Sequence, residues 1–183
     1  MISHEELLEK NLVALAKTQP RLAGELRKHL DEILGGKLPQ PLLKETSSGH
    51  WIKGLGESPF FQKDENFDFK RAKAPVYLLF GLGYPPYLFR ILRALPQEAL
   101  AVLVVEPTLE ALLFTLSRTS VFQALPQGCR ICFLVEDRHA LLDEALLWTL
   151  VPMGIFPAKN LHLIVHPGQA EAVPQLGSLG EAL

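Results

Sequence analysis

Hydrophobic positions in the first 35 residues recur mostly at three- and four-residue intervals, which is the spacing of amphipathic helices. A capping box made by Ser3 and Glu6 predicts where the first helix begins, and Gly35-Gly36 predicts where the second helix ends. Pro20 separates the two apolar series, which are Leu7, Leu8, Leu12, Leu15 and then Leu22, Leu26, Leu30, Ile33. We therefore predict a helical hairpin whose polar face, mixed in charge, is solvated.

The pattern changes between Leu38 and Phe69 to short apolar stretches separated by turn residues. Two prolines at its start disfavour a helix, and glycine- and serine-rich triplets supply turns. The strand-like stretches are 42–46, 50–53 and 57–61. We predict a small β meander, followed by a charged connector over 64–73.

The most informative stretch is a strand, a glycine turn, a helix and a second strand. Residues 76–80 are continuously apolar, which is typical of a strand buried on both faces. Gly81-Leu82-Gly83 follows at once, Tyr84-Pro85-Pro86 opens a helix, and a second apolar strand over 101–105 ends in Glu106. This is the outline of a nucleotide-binding βαβ unit. The match is incomplete, because the dinucleotide fingerprint has a third glycine where this chain has the second of those prolines.

Two later apolar runs, 131–135 and 161–165, alternate with helical patterns and predict two further strands. The fold class we predict is α/β: a Rossmann-like, mostly parallel sheet with helices on both faces over residues 71–183, preceded by the helical hairpin and small β unit over residues 1–70. A doubly wound sheet usually has about five or six strands. Four are visible here, so we expect the chain to stop before a further domain, either as part of a longer protein or as a short natural relative of one.

Composition narrows the classes of function. A hydrophobic fraction of 48% supports a sizeable core, and a net charge of −2 with a pI near 6.3 argues against a nucleic-acid surface built on bulk basicity. The chain has no apolar run long enough to span a membrane and no apolar signal core at its start. We expect a cytoplasmic protein without a nucleic-acid or membrane partner.

The two cysteines, Cys129 and Cys132, form a C-x-x-C within a strand-like run. Residues three apart in a strand lie on opposite faces, and the chain has no second pair to complete a zinc site. His162 and His166 would lie about 13 Å apart along an extended strand, which is too far to share a metal. We therefore expect two reduced structural cysteines and no metal site.

Acidic residues end two of the predicted strands. Glu106 would face the crevice where α/β sheets bind ligands, and a ribose diol can donate two hydrogen bonds to it. The alternative is a helix-start residue favoured by the helix dipole. Glu136 and Asp137 could hold a base or a metal through adjacent oxygens, whereas Asp137 is equally an ordinary N-cap. No spacing in the chain identifies a catalytic set, so the sequence predicts a binding pocket but does not identify catalytic residues.

The run from the first of these strands through the helix after Glu106 resembles the N-terminal part of the bacterial motility accessory factor family. Members of that family are glycosyltransferase-like proteins that attach nonulosonic acids to flagellin. The positions that carry the resemblance are Gly81, Gly83, Tyr84, Glu106 and Pro107. It implies a nucleotide-like binding or interaction module that lacks the family's central domain, with a nucleotide sugar as ligand and flagellin or a following domain as partner.

The same unit also resembles class I methyltransferases. In that case Gly81 and Gly83 would hold the methionine moiety of S-adenosylmethionine, and Glu106 would hold its ribose. A third class remains open, in which the unit is a scaffold with an empty crevice.

Overall fold

A computed structural model describes residues 2–47, 49–53, 60–63, 75–81, 85–106, 108–135 and 161–165, and the structural statements below refer to these residues. The helices are α1 (His4–Ala16), α2 (Pro20–Lys28), α3 (Pro85–Ala94), α4 (Leu109–Arg118) and α5 (Val121–Ala124), and α2 continues into a π-helical turn over His29–Ile33. The strands are β1 (Leu42–Thr46), β2 (Gly49–Lys53), β3 (Phe60–Lys63), β4 (Val76–Phe80), β5 (Ala101–Glu106), β6 (Arg130–Val135) and β7 (Leu161–Val165).

Helix α1 begins where the capping box predicts. The Ser3 hydroxyl accepts a hydrogen bond from the Glu6 amide at 3.1 Å, and the Glu6 carboxylate accepts one from the Ser3 amide at 3.0 Å. Helix α2 begins at Pro20, in the first helical turn where proline is tolerated. The two helices pack against each other, and the Arg27 guanidinium joins them by donating to both carboxylate oxygens of Glu9, at 2.9 and 2.8 Å.

The small sheet is antiparallel with strand order β1-β2-β3. Its first hairpin pairs Thr46 with Gly49, and the Thr46 hydroxyl donates to the Gly49 carbonyl at 2.9 Å. The second strand begins one residue earlier than predicted. The third ends at Lys63, two residues later than predicted. The predicted connector over 64–73 lies outside the described residues.

The larger sheet is parallel throughout and has the order β6-β5-β4-β7. Val76 pairs with Ala101 and Phe80 with Val105, so the predicted parallel pairing of these two strands is confirmed. Every residue of β4 and β5 is buried, as the continuous apolar runs predict for strands that are covered on both faces. The chain is therefore mixed α/β with a parallel sheet.

One face of this sheet and the helices form a single hydrophobic cluster. The residues that the sheet contributes alternate along each strand and are aligned across neighbouring strands: Tyr77, Leu79, Val102, Val104, Ile131, Phe133 and Ile164. Leucines of α1 and α2 belong to the same cluster as those of α3 and α4. The first two helices thus share a core with the parallel sheet, and the division of the chain at residue 70 stays a prediction. The helical pattern predicted between the runs 131–135 and 161–165 lies outside the described residues.

Polar side chains fix α1 and the π turn to α4. Asn11, which is 4% exposed, donates through its amide nitrogen to the carbonyl oxygens of Leu116 and Thr119 at 2.6 and 2.8 Å. Both carbonyls lie at the C-terminal end of α4, where carbonyls lack donors from the helix itself, and the Thr119 carbonyl also accepts from the Val121 amide at 2.9 Å. Near the other end of α4, His29 Nε2 lies 2.7 Å from Glu110 Oε1. The helical start of the chain therefore contacts α4 at both ends.

The link between α1 and α2 covers an edge of the parallel sheet. Strand β6 is the first strand in the sheet order, so among the described residues no strand pairs with the outer side of its backbone. The Gln19 side chain occupies that side: its amide nitrogen donates to the Phe133 carbonyl at 2.7 Å, and its oxygen accepts from the Phe133 amide at 2.8 Å. The carboxamide thus makes the two hydrogen bonds that a neighbouring strand would make to Phe133. It thereby protects this edge of the sheet from pairing with a strand of another molecule.

Thr115 is fully buried in α4, and its hydroxyl lacks a hydrogen-bond partner among the described residues. Thr115→Val keeps the shape and removes the hydroxyl, so we expect the free energy of unfolding to rise by about 1 kcal/mol. Urea unfolding measures this change. Thr18→Val is the matched control, because the Thr18 hydroxyl donates to the Leu15 carbonyl at 3.2 Å and its loss should lower stability. A lower stability for Thr115→Val would contradict the prediction.

Candidate functional site

The carboxyl ends of β4 and β5 lie side by side. Because the strands are parallel and Phe80 pairs with Val105, the next residues, Gly81 and Glu106, reach the same edge of the sheet. Ligands of open α/β sheets bind at this edge. The structure therefore brings together two of the residues that the sequence selects.

Gly81 is required by the turn itself. Its φ of 80° lies in the left-handed region, which favours glycine, and its amide donates to the Val105 carbonyl at 2.8 Å. That amide extends the contact between the strands and is not aimed at a ligand.

Glu106 is the last residue of β5 and only 1% exposed. Across the sheet it pairs with Val135, the last residue of β6. A carboxylate this deeply enclosed is costly to bury unless it is hydrogen-bonded or paired. Its place at the carboxyl end of a parallel strand suits a residue that holds a polar group of a ligand.

The helix-start interpretation of Glu106 is less well supported. The N-cap of α4 is Thr108, whose hydroxyl accepts from the Ala111 amide at 3.2 Å. Glu106 belongs to the strand and precedes that N-cap by two residues. An acidic residue acts on the helix dipole mainly within the first turn, where Glu110 is found.

The other predicted site residues, Gly83, Tyr84, Glu136 and Asp137, lie outside the described residues. Strand β6 ends opposite Glu106, immediately before Glu136 in sequence. Across the residues that the structure does describe, no group of three metal-ligating side chains comes together. Within the described part of the chain, Gly81 and Glu106 are the two predicted site residues that define the candidate site.

The two cysteines are free, as predicted. Cys129 packs against the hydrophobic cluster and Cys132 lies within β6. Burial raises the pKa of the Cys129 thiol to about 11 and also raises the pKa of Cys132. Both thiols stay protonated near neutral pH, which disfavours a redox or nucleophilic role because the thiolate is the reactive form.

The raised thiol pKa values predict a loss of stability at high pH. The native state keeps its protons where the unfolded chain has lost them, so the free energy of unfolding should fall as pH rises from 9.0 toward about 11. Urea unfolding across this pH range measures the slope. Cys129→Ala removes one titrating group, and its slope should be shallower than that of the parent. Equal slopes would show that Cys129 ionises as freely in the folded protein as in the unfolded chain.

Comparison of the chain with protein-family models, with curated proteins and with solved structures finds no match. The family resemblance carried by the glycine turn and Glu106 therefore rests on those residues alone. Among the helices that the structure describes, none is long and apolar enough to cross a membrane.

Proposed function

We propose that this chain is a Rossmann-like module whose crevice, at the carboxyl ends of β4 and β5, binds a nucleotide-type small molecule. The observation that carries the proposal is the strand order β6-β5-β4-β7 in a fully parallel sheet. Numbered within this sheet by position along the chain, the order is 3-2-1-4, which is the first part of the dinucleotide-binding order. The direction of winding reverses beside β4, and ligands of such sheets bind where that reversal occurs.

Gly81 and Glu106 add chemical support. The first lets the chain turn sharply at the end of the first strand of this sheet, and the second places a carboxylate at the end of the next strand. A ribose hydroxyl pair suits that carboxylate. Nucleotide sugars and S-adenosylmethionine both carry a ribose, so this site favours neither over the other.

The resemblance to motility accessory factors leads us to choose the nucleotide sugar. We propose that the chain is the N-terminal module of a motility-accessory-factor-like protein linked to flagellin glycosylation, located in the cytoplasm. Its partner is flagellin or a following domain of the parent chain, and sugar transfer belongs to that further domain. The parent reading frame tests this assignment, because continuation into a larger domain is expected.

Ligand binding distinguishes the three candidate functions. We expect thermal shift and calorimetry to show binding of a nucleotide-activated nonulosonic acid. Binding of S-adenosylmethionine alone would favour a stand-alone methyltransferase-like protein, and binding of neither ligand would favour a scaffold.

Two substitutions test the crevice directly. A Cβ at position 83 would obstruct a ligand that contacts the backbone of the turn, and Glu106→Gln keeps the shape of the side chain while removing its charge. Each of Gly83→Ala and Glu106→Gln should weaken binding at least tenfold, about 1.4 kcal/mol. Calorimetry measures affinity, and melting temperature is recorded beside it.

The exposed Glu98 offers a matched control for the crevice variants. Glu98→Gln makes the same chemical change close to the amino end of β5, at the opposite edge of the sheet, and should leave affinity unchanged. Gly81→Ala should lower stability whether or not a ligand binds, because the left-handed φ of 80° strains any residue with a Cβ. Parental affinity in both Gly83→Ala and Glu106→Gln would exclude the crevice as the binding site.

A further inference from the structure

A groove opens between α1 and the end of α2, away from the strand ends. Its volume is about 350 Å³, and its floor is apolar, with Leu8 and Leu12 from α1 facing Leu30 and Leu38. The two leucines of α1 are almost completely buried, whereas Leu30 and Leu38 are half-buried and supply the accessible apolar surface. The volume is at the lower end of the range for ligand pockets, about 300–1,000 Å³. We call this feature the α1–α2 groove.

The π-helical turn shapes one wall of the groove. The Leu34 amide donates to the His29 carbonyl at 3.2 Å, which is the wider spacing of a π helix, and consecutive residues Leu30 and Asp31 both line the groove. The Gly36 amide then bonds to the Leu30 carbonyl at 2.9 Å, and the positive φ of Gly36 turns the chain back toward Leu38. An apolar side chain and a carboxylate thus stand next to each other on this wall.

The rim of the groove carries excess negative charge. Glu5, Glu9 and Asp31 line it together with one cation, Arg27. Both carboxylate oxygens of Glu9 accept hydrogen bonds from that guanidinium, which raises the pKa of Arg27, and the charge of Asp31 adds to the effect. Glu9 and Arg27 compensate each other, so Glu5 and Asp31 set the charge that an approaching group meets. Both are exposed.

We propose that the α1–α2 groove binds a basic peptide segment of a protein partner. An aliphatic side chain of the segment lies over Leu30 and Leu38, and flanking lysine or arginine side chains contact Glu5 and Asp31. The apolar floor accounts for burial of the anchor, and the charge of the rim selects the basic flanks and steers the encounter. This surface is separate from the strand-end crevice, so neither proposal depends on the other.

A fluorescent peptide with leucines and lysines at helical spacing is the probe, and the same peptide with glutamate in place of each lysine is its counterpart. Fluorescence anisotropy with the intact chain should show binding of the basic peptide and not of the acidic one. The double variant Glu5→Lys with Asp31→Lys should weaken binding at least tenfold, about 1.4 kcal/mol. Leu38→Ser should weaken it too, because the anchor loses apolar contact. Added salt should reduce the affinity of the parent.

Glu25→Lys is the matched control. Glu25 is exposed on α2, forms an ion pair with Arg21 at 2.9 Å, and does not line the groove. Its substitution should leave peptide affinity unchanged, and melting temperatures verify that all variants are folded. The double variant changes the net charge by four units and Glu25→Lys by two, so a loss of binding free energy in Glu25→Lys of half that in the double variant or more would show attraction by overall charge and overturn the proposal. Failure of the basic peptide to bind, or equally strong binding of spermidine at the groove, would also overturn it.

Discussion

Asn11→Asp is expected to lower the free energy of unfolding by about 3–5 kcal/mol at neutral pH, because the buried Leu116 and Thr119 carbonyls lose the Asn11 donor and face a carboxylate instead. In the parent, the Asn11 amide nitrogen donates to the carbonyl oxygens of Leu116 and Thr119 at 2.6 and 2.8 Å. A buried carbonyl left without a donor costs about 1–3 kcal/mol. The Thr119 carbonyl keeps the Val121 amide as a donor at 2.9 Å, so the lost hydrogen bond costs most at Leu116, and repulsion between the new carboxylate and both carbonyl oxygens adds to the loss. Urea or thermal unfolding measures the change.

The loss should depend on pH in a defined direction. The introduced carboxyl is neutral when protonated and can donate one hydrogen bond, so burial and the facing carbonyls raise its pKa above the unfolded value of about 3.9. The unfolded chain releases its proton first as pH rises. The destabilisation is therefore smallest at acid pH and grows through the range between the two pKa values.

Val13→Asp is the control for the Asn11 variant. Val13 lies on the same helix but is 49% exposed, so it tests the cost of placing an aspartate in α1 without the buried carbonyls. Its effect should stay within about 1 kcal/mol, since valine and aspartate have similar helix propensities. Asn11→Ala removes the hydrogen bonds without adding a charge, so its loss of stability should lie between those of Val13→Asp and Asn11→Asp. A destabilisation of Asn11→Asp no larger than that of Val13→Asp would contradict the proposed role of Asn11.

The parallel sheet could be predicted because burial leaves a direct trace in sequence. Strands β4 and β5 are buried along their whole length, and all of their residues except Glu106, the last one, are apolar. This continuous apolar pattern is visible in the sequence. The capping box at Ser3 fixes the start of α1 through contacts only three residues apart. The π turn was not predicted, because Leu30 and Ile33 continue the ordinary helical spacing and its extra residue produces no separate signal.

The contacts that join the helical start to the sheet could not be predicted. Asn11 is a polar residue on an apolar helix face, beside Leu8, Leu12 and Leu15, and that anomaly is visible in the sequence. Its partner Leu116 lies 105 residues away, and no local pattern identifies it. The candidate site, too, was predictable only in part. The strand end at Glu106 was predictable, whereas its near-complete burial depends on packing.

Gln19→Ala is expected to lower the free energy of unfolding by about 2–3 kcal/mol and to expose the outer edge of β6 to solvent. The Gln19 carboxamide is the partner of both polar groups of Phe133, at 2.7 and 2.8 Å, across a separation of 114 residues. Its removal leaves a partly buried amide and carbonyl at the sheet edge, where water compensates them only in part. Hydrogen exchange should therefore accelerate at the Phe133 amide more than at amides within β5.

Gln19→Glu refines the same prediction. A carboxylate can still accept from the Phe133 amide, but it cannot donate to the carbonyl and repels it. Exchange at the Phe133 amide should therefore stay slower than in Gln19→Ala, although stability still falls. Gln97→Ala, at an exposed turn, is the matched control and should change neither quantity. An open edge also promotes strand pairing between molecules, so Gln19→Ala should associate more readily than the control in sedimentation experiments. Parental exchange at Phe133 in Gln19→Ala would mean that the carboxamide does not protect this edge in solution.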